Sequence, residues 1–363
     1  MKILSNTVAC SNDDGVFRYF GWPSVAYLPD GRLALAASGF RMRHVCPFGK
    51  GVICYSSDEG KSWTRPAPVI DTPLDDRDSG VVSFGKGRVI FTSFNNSIAA
   101  QRAWMERLGE DTPEQAASKA FTRAYIELLA ARPDSERLLG STYRISDDGG
   151  TVFGPVRLSP VTSPHGPMPT KDGGLMYIGR RFTANDSPDQ GDRPYLECWR
   201  LGKDDAFEYL SSIPNIPNGE GGCYLSCEPH ALELPDGRIV VHIRVQGGCF
   251  TVYQSESSDG GRSFTAPRRL LDPNGGSPAH LLMHSSGTLL SVYGYRNAPY
   301  GIRYMLSRDM GRTWKTDLVL TDEHATGDLG YPASVEISGG RILTVYYVNE
   351  GGASRIRQIV WEL

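Results

Sequence analysis

The sequence lacks several features that would each have implied a function class. No run of about 18 apolar residues occurs, which excludes a membrane-spanning helix. No block of Lys or Arg occurs and the net charge is −3, so the basic face needed to neutralise a phosphate backbone is missing and no nucleic-acid partner is expected. The opening MKILSNTVACSNDDG has no apolar segment of a secretory leader, and the chain is therefore expected in the cytoplasm. Seven cysteines are an odd number without paired spacing, and they read as free thiols rather than a disulfide framework.

Glycine and proline, by contrast, are abundant. They make up 65 of 363 residues, above the average usage of roughly 12%. The glycines are ordered. One design recurs, an apolar strand, a tight Gly turn and a second apolar strand, as in WPSVAYLPDGRLALAAS from Trp22 and EPHALELPDGRIVVHIR from Glu228. The turn glycines are Gly31, Gly87, Gly173, Gly237, Gly287 and Gly340, spaced by 56, 86, 64, 50 and 53 residues. Such turns between β-rich runs mark hairpins, because glycine takes positive φ at little cost. A period near 50 predicts an all-β propeller, here six-bladed and a single domain over 1–363. Blades are expected at 21–75, 76–160, 161–220, 221–272 and 273–325, with 326–363 and 1–20 closing the ring.

The long spacing before Gly173 contains an insertion at 97–132. Thr112-Pro113-Glu114-Gln115 has the form of a capping box with Pro at the first helical position. Ala116, Ala120, Ala124, Tyr125 and Leu128 form an apolar stripe, predicting a helical hairpin on the second blade. It would serve as a surface decoration, a wall of a pocket or a contact for self-association.

A second repeat, Ser-x-Asp-x-Gly-x-(Ser/Thr)-(Trp/Phe), reads SSDEGKSW at 56–63, SSDGGRSF at 257–264 and SRDMGRTW at 307–314, with a looser copy, SDDGGTVF, at 146–153. Asp caps backbone N–H groups, Gly takes the positive-φ site and the aromatic packs beneath. These are Asp-boxes, or BNR repeats, and with them the sequence resembles the sialidase superfamily.

The hairpin register allows blades to be compared. Nine residues before each turn Gly stand Trp22, Asp78, Pro164, Glu228, Pro278 and Tyr331; seven after stand Ser38, Phe94, Arg180, Arg244, Gly294 and Tyr347. Carboxylates, tyrosines and arginines at positions where packing favours aliphatics point to a site. Glu228 lies sixteen residues before Arg244, and Tyr331 twenty-eight after Arg303. These patterns look like those of exo-sialidases, in which a glutamate deprotonates a tyrosine nucleophile and arginines clamp a substrate carboxylate. The resemblance implies Tyr331 as nucleophile, Glu228 as its base, and Arg244 and Arg303 as clamp residues. A neutral tyrosine suits attack beside a carboxylate, and the planar fork of Arg suits the carboxylate itself.

The first blade departs from that pattern. Where sialidases carry an Arg-Ile-Pro, this chain reads Phe20-Gly21-Trp22-Pro23, and no acidic residue occurs between Gly31 and Ser57. Arg41 or Arg43 is the candidate third positive group, and His44 or Asp78 the candidate acid. Arg77, Trp22, His230, His280 and Tyr295 are expected to line the pocket. His165, His230 and His280 come from separate blades without ligand spacing, so neither a metal nor a cofactor is expected. The expected activity is retaining exo-glycoside hydrolysis of a terminal acidic sugar, sialic or a related ulosonic or uronic acid. The alternatives are a polysaccharide lyase on uronates and a non-catalytic carbohydrate-binding propeller.

Overall fold

The computed structural model describes residues 1–181 and 194–363. It is an all-β, propeller-like structure with two helices, α1 (Ile98–Glu106) and α2 (Pro113–Ala130). The described residues form five hydrogen-bonded sheets. The largest has eight strands and divides into two antiparallel runs, joined only at the parallel pair Tyr19 and Ser354. One run is Tyr19–Tyr27, Leu33–Arg41, Lys50–Ser56 and Ala67–Ile70. The other is Leu329–Ile337, Arg341–Glu350 and Ala353–Glu362, completed by the N-terminal strand Lys2–Cys10. The two chain ends thus pair, from Lys2 with Glu362 to Cys10 with Ile356.

Burial follows strand position. Leu33–Arg41 is buried on both faces, which accounts for its near-continuous apolar run, whereas Arg268–Arg269 at a sheet margin is exposed. The innermost strands pack side by side in a closed circuit. Tyr19–Tyr27 touches Arg77–Phe84, and contact continues through Met168–Pro169, the sheet of Leu175–Arg181, Cys223–Glu233 and Ala279–Met283 to Leu329–Ile337, which returns to Tyr19–Tyr27. All six turn glycines have positive φ, between 71° and 87°.

The Asp-boxes are structural clasps. Ser307 Oγ accepts the Gly311 N–H and donates to Asp309, whose carboxylate also accepts the Thr313 N–H. In the looser copy the Val152 N–H still reaches Asp148, but the side-chain hydroxyl bond is missing. Two of the aromatics also make longer ties, one between neighbouring sheets and one between the two runs of the eight-stranded sheet. Trp314 Nε1 donates to Gln254, whose amide returns to the Gly311 carbonyl; Trp63, Gln358 and Gly60 repeat the device where the chain ends meet.

The helices lie between the strands Arg88–Phe94 and Ser141–Ser146, and the capping box of Thr112 and Gln115 is formed. The buried face of α2 differs from the expected one. Ala120, Ala124 and Leu128 are exposed, while Lys119, Thr122, Ile126 and Leu129 face inward. Two polar residues are accepted on that face because both are bonded: Lys119 Nζ to the Leu108 carbonyl, Thr122 Oγ1 to the Ser118 carbonyl. The insert also leans on loops outside the strands that flank it, those before Lys50–Ser56 and before Arg77–Phe84. Phe48 stacks on Phe121 at 5.0 Å, and the Tyr125 hydroxyl donates to the Pro73 carbonyl. Among the described residues no helix is long and apolar enough to cross a membrane.

Candidate active site where the inner strands begin

Trp22, Asp78, Glu228 and Tyr331 share one backbone geometry. Each has φ between 47° and 53°, and each falls in a register shift of its ladder: between Gly21 and Ser24, Arg77 and Gly80, Cys227 and His230, Gly330 and Ala333. Two residues of the inner strand therefore oppose one of its partner, a β-bulge. Left-handed backbone at a bulky side chain costs of order 1–3 kcal/mol and persists only where the surroundings hold it. Four repeats of it turn four side chains out of their ladders toward a common centre.

There Tyr331 Oη donates to Glu228 Oε1 at 2.7 Å and accepts from Arg244 Nη1 at 2.9 Å, while Arg244 Nη1 also reaches Glu228 Oε2 at 2.5 Å. Tyr331 is 5% exposed. Burial, with the Glu228 charge, pushes its pKa well up; Arg244 and Arg296 pull it back. Arg244 titrates well above its ordinary value: burial opposes its charge, but Glu228 and Tyr331 outweigh that. The Arg296 guanidinium lies 5.5 Å from the Tyr331 ring, with its Nε donating to the Leu329 carbonyl.

Asp78 is 4% exposed, and its Oδ1 has no hydrogen-bond partner among the described residues. Burial raises its pKa to about 7; Arg77 opposes the shift and Glu228 adds to it. The carboxyl is therefore largely protonated below neutrality and available as a donor.

A second cluster adjoins the first through Trp22, whose ring lies 6.4 Å from Tyr331 and 4.9 Å from His44. Asp328 accepts hydrogen bonds from the hydroxyls of Tyr19 and Tyr347 and from Asn349, each at 3.0 Å, and faces His44 Nδ1 at 3.2 Å. His44 Nδ1 is also 2.9 Å from the Tyr19 hydroxyl. The His44 side chain is 46% exposed. Desolvation of its ring still lowers its pKa, against the opposing pull of Asp328.

The remaining expected residues lie as follows. Trp22 is 1% exposed and serves as a packing centre, with the Arg77 and Arg41 guanidinium groups 4.4 and 5.0 Å from its ring. Arg41, expected as a clamp, is fixed instead: its side chain and that of Asp75 are both 0% exposed and paired at 2.6 Å. Arg43 turns to the insert, donating to Ser118 and Thr122 at 2.7 Å. Arg303 lies over Tyr295 at 3.9 Å and pairs with Asp317 at 3.1 Å, so the guanidinium over Tyr331 is that of Arg296. His230 and His280 stack at 4.0 Å with His165 edge-on to both. Burial lowers the pKa of all three, to about 3 for His230, and keeps them neutral. Among the described residues no group of three His, Cys, Asp or Glu is arranged to hold a metal ion.

A BNR repeat-like domain matches residues 134–344, more than half of the chain. The chain belongs to the BNR repeat-like family. No curated protein matches the sequence. Among solved structures, a protein of unknown function from Dyadobacter fermentans matches at 22% identity over 100% of this chain and 99% of its own, with a TM-score of 0.75. The K499G mutant of NanB sialidase from Streptococcus pneumoniae matches at 13% identity over 98% of this chain and 70% of its own (TM-score 0.67). The intramolecular trans-sialidase from Ruminococcus gnavus matches at 11% identity over 98% and 97% (TM-score 0.64). At these identities the likeness establishes the fold: this BNR repeat-like chain is a sialidase-like propeller.

Asp328, Asp75 and Tyr19 were not expected from the sequence at this site. All three stand three residues before a bulge position, namely Tyr331, Asp78 and Trp22. The same register that aligned the bulges carries this second row, at or just before the start of each inner strand.

Proposed function

We propose that this BNR repeat-like chain is a six-bladed propeller acting as a retaining exo-glycosidase on a terminal sugar that carries a carboxylate, sialic acid or a related ulosonic or uronic acid. The six-blade count rests on reading the eight-stranded sheet as two blades joined at the Tyr19–Ser354 pair. The functional reading rests on one observation, the Tyr331 hydroxyl held between Glu228 and Arg244. Tyr331 Oη attacks the anomeric carbon as its proton passes to Glu228, and the bond to the leaving oxygen breaks. His44, oriented by Asp328, donates a proton to that oxygen and then takes one from the incoming water. The water oxygen bonds to the anomeric carbon, the tyrosyl–carbon bond breaks, and Glu228 returns the proton to Tyr331. Arg244, Arg296 and Arg77 supply the positive field for the substrate carboxylate, and neutral Asp78 donates to a sugar hydroxyl.

The test is NMR observation of the first-formed product from 4-methylumbelliferyl glycosides of sialic, ulosonic and uronic acids. Hydrolysis with retained anomeric configuration is expected, and Tyr331→Phe abolishes it. Inversion, or an unsaturated product absorbing near 235 nm as from a lyase, overturns the reading.

A further inference from the structure

His44 belongs to two places at once. Besides facing Asp328 and Trp22, it lines a cavity of about 320 Å³ between the loop that follows Leu33–Arg41 and the helical insert. That volume is within the range of small-molecule pockets. Its apolar wall is Val45 and Pro47 from the loop, and Trp104, Met105 and Leu108 from α1 and the turn after it.

The polar residues of the lining are already engaged. Gln101 donates its amide to buried Asp75 at 3.0 Å. Both terminal nitrogens of Arg43 are bonded to Ser118 and Thr122, and the Thr122 hydroxyl donates to the Ser118 carbonyl. His44 Nδ1 is turned to Tyr19 and Asp328, which leaves Nε2 as the nitrogen for a ligand. A second sugar here would lose water from several hydroxyls without gaining partners, at roughly 1–3 kcal/mol for each buried group. An apolar group loses nothing. Trp104, 48% exposed and with the Arg107 guanidinium 5.2 Å from its ring, presents a flat face for a ring-shaped occupant.

We propose that this pocket is the leaving-group subsite, and that the natural substrate joins its acidic sugar to an apolar, ring-bearing alcohol rather than to another sugar. This rests on the glycosidase reading, with His44 protonating the departing oxygen at the pocket mouth. The insert is thereby a specificity element.

The test compares three glycosides of one acidic sugar: cyclohexylmethyl, methyl and a galactose-linked disaccharide. The cyclohexylmethyl and methyl alcohols are similar in acidity, so their kcat/KM ratio reports on the pocket. A ratio of at least about 10 is expected, the usual worth of a filled apolar pocket, with the disaccharide below the cyclohexylmethyl substrate. Leu108→Trp, which fills the cavity, and Trp104→Ala, which removes the flat face, each bring the ratio toward 1. Melting temperatures of both variants show that they are folded. In parallel, 2-naphthol binding is followed by fluorescence. Binding is expected in wild type and in Tyr331→Phe, and lost in Leu108→Trp. Turnover with a ratio near 1, or preference for the disaccharide, overturns the subsite alone. Absence of turnover of all three glycosides overturns the catalytic reading and with it the leaving-group role, whatever 2-naphthol does.

Discussion

Replacing Asp78 by Asn tests whether the centre holds a carboxyl that resists ionisation. In the folded chain burial raises its pKa from 3.8 to about 7, with Glu228 adding and Arg77 opposing. Between those values the folded state keeps a proton that the unfolded chain has released. Stability therefore falls as pH rises through this window and levels off above it. Integrated over this pKa difference, ionisation disfavours the folded wild type by about 2 kcal/mol at pH 5 and about 4 kcal/mol at pH 8. Asn carries no proton equilibrium, so the stability of Asp78→Asn relative to wild type rises by roughly 2–3 kcal/mol across that interval. For a chain of 363 residues the change corresponds to about 3 °C in Tm. Buried Asp76, also raised to about 7, titrates in both proteins and cancels. Differential scanning calorimetry at pH 5 and pH 8 is the assay. A Tm difference that stays constant between the two pH values would instead place Asp78 in a solvated or compensated environment, without the raised pKa.

Two further outcomes are expected. Arg41→Ala leaves Asp75 buried with only Arg77, 3.7 Å away, as a cationic partner, and it should lower stability by about 3–5 kcal/mol in urea unfolding; a loss below about 1 kcal/mol would mean that Arg41 is free to act elsewhere. Asp328→Asn removes the charge that favours protonated His44, so the His44 pKa falls further below its ordinary value. Since a general acid acts in its protonated form, the alkaline limb of the kcat/KM profile should move to lower pH. An unmoved limb would take His44 out of the acid role.

Much of this was legible in the sequence, and for a physical reason. A tight turn requires its glycine, so the turn glycines marked the hairpins, and counting back from them reached Trp22, Asp78, Glu228 and Tyr331. The left-handed bulge that unites these four leaves no residue-type signature, because each side chain is large and none is Gly. Asp328 and Asp75 were invisible singly; only their shared offset of three residues shows that they belong to a row. Arg41 and Arg43, two residues apart on one strand end and its loop, looked equivalent. Burial separates them: one is paired with Asp75 in the interior and the other is bonded to α2. The face of α2 was misjudged because an Ala-rich helix presents apolar spacing on more than one side. Local bonds to Lys119 and Thr122, which depend on the turn before α2 and on Arg43, select the buried one.

In the proposed mechanism Tyr331 forms a covalent bond to the sugar. Incubation with a fluorinated glycosyl fluoride of a sugar acid, which slows breakdown of the intermediate, followed by peptide mass spectrometry, addresses it directly. A single adduct is expected, heavier than the free peptide by one fluoroglycosyl group, on the hydroxyl of Tyr331 and absent from Tyr331→Phe. An adduct on another residue, or glycoside turnover by Tyr331→Phe at the wild-type rate, would contradict it.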